Sequence, residues 1–444
     1  MSKILQSRIL QCLLLFIVAT STVNAKGLNA QVEEQMSHLK KTYLYLHQHP
    51  ELSYHEKNTG QYIAKRLTNM GFDVTSPIGG YGVVGLFKNG DGPTVMYRTD
   101  TDALPVVEQT GVPYASKITT LDKSGNKVGV MHACGHDIHM TTFLGTAHYL
   151  VNNKDKWSGT LMMVAQPAEE VGGGAKALLN QGLFKRIALP DHIVAFHTHA
   201  NLPAGKVGIA PGYIMANVDS VDIEVKGISG HGAYPNKTVD PIVIASRIVL
   251  ALQTITSREI SPIDPSVVTV GAIQGGSKRS VIGNKVVLKL TVRSYKPKVR
   301  KHQIEAIKRI SKGIALSAGL KGDLLPNIIV YKNETAPALY NDPKQTAEIK
   351  ASLINVLGKH NVIKTEPSMV GEDFARYGRT PDKRPITMIW LGGVKPAVYQ
   401  ESLTSGKILP TLHSAKFAPD YPLAIKTGVN AMSKVLIDLF DKKS

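Results

Sequence analysis

The sequence predicts an α/β fold with a largely parallel central sheet, interrupted by a smaller α+β domain. Three observations carry this reading. Short, continuously apolar runs such as 161–165 and 193–196 alternate with helical periodicities, and such runs suit strands covered on both faces. Near Gly212 the pattern changes to period-two alternation, as in 220–226, which marks a strand with one open face. After Lys332 the first character returns. A chain of 444 residues also exceeds one ordinary core, so more than one domain is expected.

The elements follow in order. Residues 32–47 carry a helical pattern, and 82–87 and 94–97 read as strands. A helix over 139–151 places Phe143, Ala147, Leu150 and Val151 on one face. Strands at 161–165 and 193–196 complete the first part. In the interruption, a strand at 220–226 precedes a helix over about 240–258, strands at 267–273 and 285–293, a helix from 297 to about 318, and a strand at 327–331. This βαββαβ order describes a small layered domain with one open sheet face. A helix over 343–357, a strand at 387–391 and a helix over 423–440 return to the first layer pattern. The expected division is 26–212 and 332–444 for the larger domain and 213–331 for the insertion.

Hydrophobic content of 43% and charged content of 19% describe a globular chain. The formal charge is +18, but Lys and Arg are scattered, with no basic block interleaved with aromatics. A solvated basic surface is expected, and no nucleic-acid partner. Residues 1–25 read as an export signal: Lys3 and Arg8 form a positive start, 9–19 is apolar, and Val23-Asn-Ala25 fits a cleavage site. The apolar run is short for a membrane span. A secreted or periplasmic protein without stable membrane insertion after cleavage is therefore expected; the alternative is a retained N-terminal anchor. Cleavage leaves Cys134 without a disulfide partner. In an oxidising compartment a lone thiol is a liability unless buried or metal-bound.

Met131-His-Ala-Cys-Gly-His-Asp-Ile-His139 packs a thiol and three imidazoles into nine residues. Downstream, Glu169-Glu170, His197 and His413 add carboxylates and imidazoles, the donor set of zinc and related divalent metals. Cys134 taken alone reads as an ordinary buried cysteine, but His136 beside it favours metal. Asp100 and Asp102, Glu169 and Glu170, and His197 all follow expected strands. Ligands of open parallel sheets bind beyond the carboxyl ends of strands, so these residues can converge in one crevice. Asp100 and Asp102 read equally as turn acids or as groups that orient an imidazole. His132 and His139 read as supporting residues rather than ligands. Gly172-Gly-Gly174 is no phosphate loop, because the lysine and hydroxyl residue that should follow are absent.

Six motifs occur in order: Cys134-Gly-His136-Asp, Gln166-Pro-Ala-Glu-Glu170, His197 before Leu202-Pro-Ala-Gly205, Gly230-His-Gly232, Gly371-Glu-Asp-Phe374 and Leu412-His-Ser414. Together they resemble the amidohydrolase branch of the aminoacylase/carboxypeptidase metallohydrolases, which includes hippurate hydrolase, N-acyl-amino-acid amidohydrolases and indoleacetyl-amino-acid hydrolases. The resemblance spans nearly all of the chain after residue 25. It implies a metal-dependent hydrolase domain interrupted by a lid or dimerisation domain, and a homodimer or higher homo-oligomer. It also implies metal ligands at Cys134, His136, Glu170, His197 and His413, with Glu169 as general base. Spacing alone does not decide which glutamate does which, and His199 competes with His197 except for its distance to Leu202-Pro203. Five ligands suit two divalent ions about 3.5–4 Å apart; zinc, manganese, cobalt and nickel stay open.

The resemblance further implies that His231 reaches a substrate carbonyl, across a dimer interface, and that Arg293 binds a substrate carboxylate. A surface-loop histidine and a solvated strand-end arginine are the plainer readings. Ser280 and Tyr234 depart from the residues found in many relatives, Asn and His, which bears on substrate contact rather than on the metal site. The expected activity is cleavage of the amide of an N-acyl amino acid or small peptide. A carboxypeptidase or dipeptidase with the same centre, and a non-catalytic metal-binding protein, are the rivals.

Overall fold

The computed structural model describes residues 26–122 and 125–441. The expected export signal lies outside the described residues. An eight-stranded sheet runs, edge to edge, Asp73–Ile78, Gly82–Asn89, Gly159–Gln166, Thr94–Asp100, His192–Pro203, Ile386–Val394, Val207–Gly208 and Val362–Ile363. Its four middle strands, Gly159–Gln166 to Ile386–Val394, are mutually parallel. The strands Asp73–Ile78 and Gly82–Asn89 join antiparallel at one edge.

Helices Leu28–Gln48, His136–Val151 and Tyr421–Phe440 cover one face through Leu39, Phe143, Val429 and their neighbours. The other face packs Leu178, Phe184, Phe374 and Tyr377 against Met96, Met162 and Met388. Both faces are thus dry, which is why residues 161–165 are apolar without alternation.

A second, four-stranded antiparallel sheet runs Ser266–Gly275, Lys285–Ser294, Asn217–Lys226, Asn327–Ala336. Strand Asn217–Lys226 alternates buried and half-buried residues throughout. Helices Pro241–Thr254 and Pro297–Ser317 pack on one face through Ile244, Ile248 and Ile307 against Val221, Ile223 and Leu288. Asp240 caps the first of them, accepting the Ile242 N–H at 2.8 Å. The order is the βαββαβ expected. The helix read to 258 ends at Thr254 and continues as a short π segment, Ile255–Glu259.

Several boundaries differ from the sequence reading, and three of them share a cause. The strand expected to stop at Tyr97 runs to Asp100, the strand expected to stop at Phe196 runs to Pro203, and the helix expected from His139 starts at His136. In each case polar residues that resemble loop are buried inside an element. Among the described residues no helix is long and apolar enough to cross a membrane.

Candidate metal centre

Four segments converge beyond the carboxyl ends of the middle strands. Cys134 sits in the turn that opens helix His136–Val151. Gly135, at φ 85°, makes this turn in the left-handed region, and a Cβ there would lie 3.1 Å from Thr198 Oγ1. Glu169 and Glu170 follow strand Gly159–Gln166 through Ala168, also left-handed at φ 52°. His197 lies within its strand, beside Trp390 of the next. His413 is held at φ 67° and donates its backbone N–H to the Ala133 carbonyl at 2.9 Å, which ties its loop to the cysteine turn. Non-glycine residues in this region are uncommon, and two of them flank one site.

The five side chains expected as ligands come together. Cys134, His136 and His197 form one triad of donor atoms mutually within 4.8 Å; Cys134, Glu170 and His413 form a second. Cys134 belongs to both, with Sγ 3.5 Å from His197 Nε2. His136 Nε2 lies 3.8 Å from Glu170 Oε1, and His413 Nε2 lies 3.4 Å from Glu170 Oε2. The imidazoles are pre-set in one tautomer. His136 donates Nδ1–H to the Asp102 carbonyl at 2.7 Å, and His197 donates Nδ1–H to the Thr198 carbonyl at 2.8 Å. Both Nε2 atoms are left facing the cluster. Among the described residues, His136 Nε2 and Glu170 Oε1 are buried with no hydrogen-bond partner, a state that is costly unless something binds them.

The electrostatics ask for a cation. Burial alone would push His136 down, but Asp100, Asp102 and Glu170 hold it up at about 10. Burial, with Asp102 and Asp100, lifts Glu170 to about 8 against the pull of His136. Burial and the charges of Glu372, Glu170 and Asp373 raise the Glu169 carboxyl well above the usual range, and burial with Glu170 and Glu169 raises the Cys134 thiol. These groups hold protons where divalent ions would displace them. The donor set, the fixed tautomers and the unpartnered atoms all fit such ions.

The supporting residues are more numerous than the sequence reading found. Asp102 grips the glutamate turn: its carboxylate accepts the N–H of Glu169 at 3.1 Å and of Glu170 at 3.0 Å. Asp100 accepts His139 Nδ1–H at 2.6 Å. His139 Nε2 lies 2.8 Å from the Thr198 N–H, so both of its nitrogens are taken, and burial keeps it neutral, down at about 3. His132 is buried, and neither ring nitrogen has a hydrogen-bond partner among the described residues. Arg98 was missed in sequence. Fully buried, it pairs with Asp100 at 2.8 Å, Glu372 at 2.9 Å and Asp373 at 3.4 Å. The motif Gly371-Glu-Asp-Phe374 thereby gains a role: it supplies the counter-charges beneath the centre.

A cavity of about 1020 Å³ opens over the cluster, lined by Cys134, Glu169, Glu170, His197, His413, Trp390 and, from the second sheet, Arg293. Arg293 is half-buried, with NH1 on the Met369 carbonyl at 3.0 Å. His199 packs edge-on against Trp390, accepts the Asn201 N–H at 3.1 Å, and is not among the lining residues. His231 and Ser280 are brought together, since the Gly232 N–H bonds the Ser280 carbonyl at 2.9 Å, but neither lines this cavity.

The profile of Peptidase family M20/M25/M40 matches residues 96–404, more than half of the chain. The chain belongs to this family. It is a hydrolase of amide or peptide bonds. Among its relatives, the N-acetyldiaminopimelate deacetylase of Lactobacillus acidophilus is 36% identical over 400 residues, covering 89% of this chain and 96% of that one. Thermostable carboxypeptidase 1 of Saccharolobus solfataricus is 34% identical over 401 residues, covering 89% and 94%. A crystal structure of a Bacillus subtilis protein described as a dinuclear metal-binding peptidase of the M20 family superposes with a TM-score of 0.73 at 27% identity, covering 93% of this chain and 100% of that one.

Proposed function

We propose that this M20 hydrolase cleaves the amide of N-acyl amino acids or small related peptides, at a centre of two divalent ions held by Cys134, His136, Glu170, His197 and His413. The observation that carries the reading is the pair of donor triads sharing Cys134, with Glu169 beside them in the same cavity. When bound, such ions supply Lewis acidity, which lowers the pKa of water and polarises a carbonyl. Zinc, manganese, cobalt and nickel all suit the donor set.

Glu169 accepts the proton of the attacking water and returns it to the leaving nitrogen. Burial beside Glu372, Glu170 and Asp373 makes it a stronger proton acceptor than an exposed glutamate. Arg293 offers its guanidinium to a substrate carboxylate. His231 accepts the Ala233 N–H on Nδ1 at 3.0 Å, which leaves Nε2–H to donate to a developing oxyanion. Because His231 and Ser280 lie off their own chain's cavity, they serve the site of a second copy in a homodimer. Exposed Ile242, Val243 and Leu250 on helix Pro241–Thr254 support such pairing. Residues 1–25, read as an export signal, direct the enzyme to a secreted or periplasmic location.

Metal-loaded protein assayed against matched N-acyl amino acids and unblocked dipeptides tests this. Turnover of the acylated set is expected. Turnover of dipeptides alone supports the carboxypeptidase reading, which the Saccharolobus relative favours. No turnover of either, with metal bound, leaves a metal-binding protein.

A further inference from the structure

We propose that a second cavity, continuous with the catalytic one, is a carboxylate subsite that directs the enzyme towards substrates with an additional acidic group. This cavity measures about 560 Å³ and shares Lys176, Asn180, Thr335 and Ala336 with the catalytic cavity. Its lining includes the cations Lys176, Arg300, Arg376 and Arg379 and no carboxylate.

Among the described residues, an ion pair holds only one of these charges. Arg300 is held by both oxygens of buried Asp219, at 2.7 and 2.6 Å. The other three are positioned by neutral oxygens. Lys176 Nζ donates to Asn333 Oδ1 at 3.0 Å, Arg379 NH2 donates to the Ala338 carbonyl at 3.0 Å, and Arg376 NH2 donates to the carbonyls of Thr335 and Gly172. Such contacts fix the direction of a cation without cancelling its charge. Arg376 Nε is, in addition, buried without an acceptor among the described residues. Permanent cations that line a cavity and that no carboxylate neutralises are what a ligand carboxylate satisfies.

The placement links this subsite to the chemistry. Arg376 and Arg379 belong to the segment Asp373–Arg379, whose first residue, with Glu372 before it, pairs Arg98 beneath the metal centre. Lys176 lies two residues after Gly174, on the short helix that follows the glutamate turn. Arg293 lines the catalytic cavity and is absent from the lining of the second. A substrate with two carboxylates can therefore engage Arg293 with one and the three free cations with the other, while its amide lies over the donor cluster. The substrate class is an acylated acidic amino acid, or a small peptide ending in one. The consequence for substrate choice rests on the proposed amide hydrolysis; the anion subsite itself does not.

The test uses metal-loaded protein and two arms. In the first, kcat/KM is compared for N-acetylglutamate and N-acetylglutamine, near-isosteres in which a neutral amide replaces the side-chain carboxylate. A preference for the acid of about tenfold or more is expected, as charge-assisted bonds outweigh neutral ones. The ratio should fall towards one in Arg376→Gln/Arg379→Gln. Arg376 also braces the Thr335 turn, so Lys176→Gln and Arg379→Gln are measured separately, each expected to lower the ratio. In the second arm, calorimetry compares glutarate, its monoamide and inorganic phosphate. Tighter glutarate binding that is lost in the variants upholds the subsite even where neither acetyl compound is turned over, in which case only the hydrolytic reading fails. Equal kcat/KM for acid and amide, a ratio untouched by the variants, or phosphate binding lost in the variants without any ranking of glutarate over its monoamide, overturns the substrate subsite.

Discussion

The backbone carbonyl of Asp102 accepts the Nδ1–H of His136 at 2.7 Å, while the Asp102 carboxylate holds the N–H groups of Glu169 and Glu170. One residue thus fixes the tautomer of an expected ligand and the direction of the two glutamates. The sequence reading left Asp102 open between turn acid and imidazole-orienting group. It is both, with the carbonyl rather than the carboxylate orienting the ring.

Asp102→Ala should leave the carbonyl contact intact and free the buried N–H groups of the glutamate turn. Loss of metal affinity by roughly 10–100-fold is expected, together with destabilisation of about 1–3 kcal/mol. Equilibrium dialysis and thermal melts measure both. Wild-type affinity in the variant would mean that the turn is held by other contacts.

Glu169→Gln should retain metal and lose turnover by at least ~10². Metal analysis alongside steady-state kinetics separates the two glutamates. If Glu169→Gln loses metal while Glu170→Gln keeps it, their roles are reversed.

His231→Ala should lower kcat strongly with metal content near normal, because His231 is exposed and lies off the donor cluster of its own chain. A parallel fall in metal and activity would place it among the ligands and contradict the division into core and lid.

His47 supplies a pH test through Asp137, the residue that follows the expected ligand His136. Buried, it bonds Asp137 at 2.6 Å and Glu108 at 3.2 Å, and these partners outweigh burial and raise it from 6.5 to about 9. A raised histidine pKa favours the folded state wherever the ring is charged. The contribution, on the order of 3 kcal/mol, is fully present below about pH 6.5 and is lost as pH rises through about 9. Thermal melts across pH 6–10 should show the gap between wild type and His47→Gln closing over that window. A gap that stays constant would show that His47 does not hold its proton.

The layer pattern was legible because hydrophobic burial writes it directly. Residues 161–165 are apolar on both faces since both faces are covered, and Asn217–Lys226 alternates since one face is open. The reading failed where polar residues are buried for the site. Arg98 and Asp100 look like loop, yet they extend a strand because each neutralises the other and Glu372 and Asp373 complete the network. His136 and Asp137 look like a helix approach, yet both lie within its first turn. His197-Thr-His199 hides a strand that pairs with Trp390-Leu-Gly392. Asp100 lies only two residues from Arg98, but Glu372 and Asp373 are distant in sequence and leave no local pattern, so the buried network around Arg98 carried no signal.

The central claim is that the cluster around Cys134 is a two-ion centre on which amide hydrolysis depends. Titration of thoroughly demetallated protein with a divalent metal, following bound metal and hydrolysis of an N-acyl amino acid together, tests it most directly. The account predicts negligible turnover without metal and a plateau of activity at about two ions per chain. Full activity in demetallated protein would contradict it.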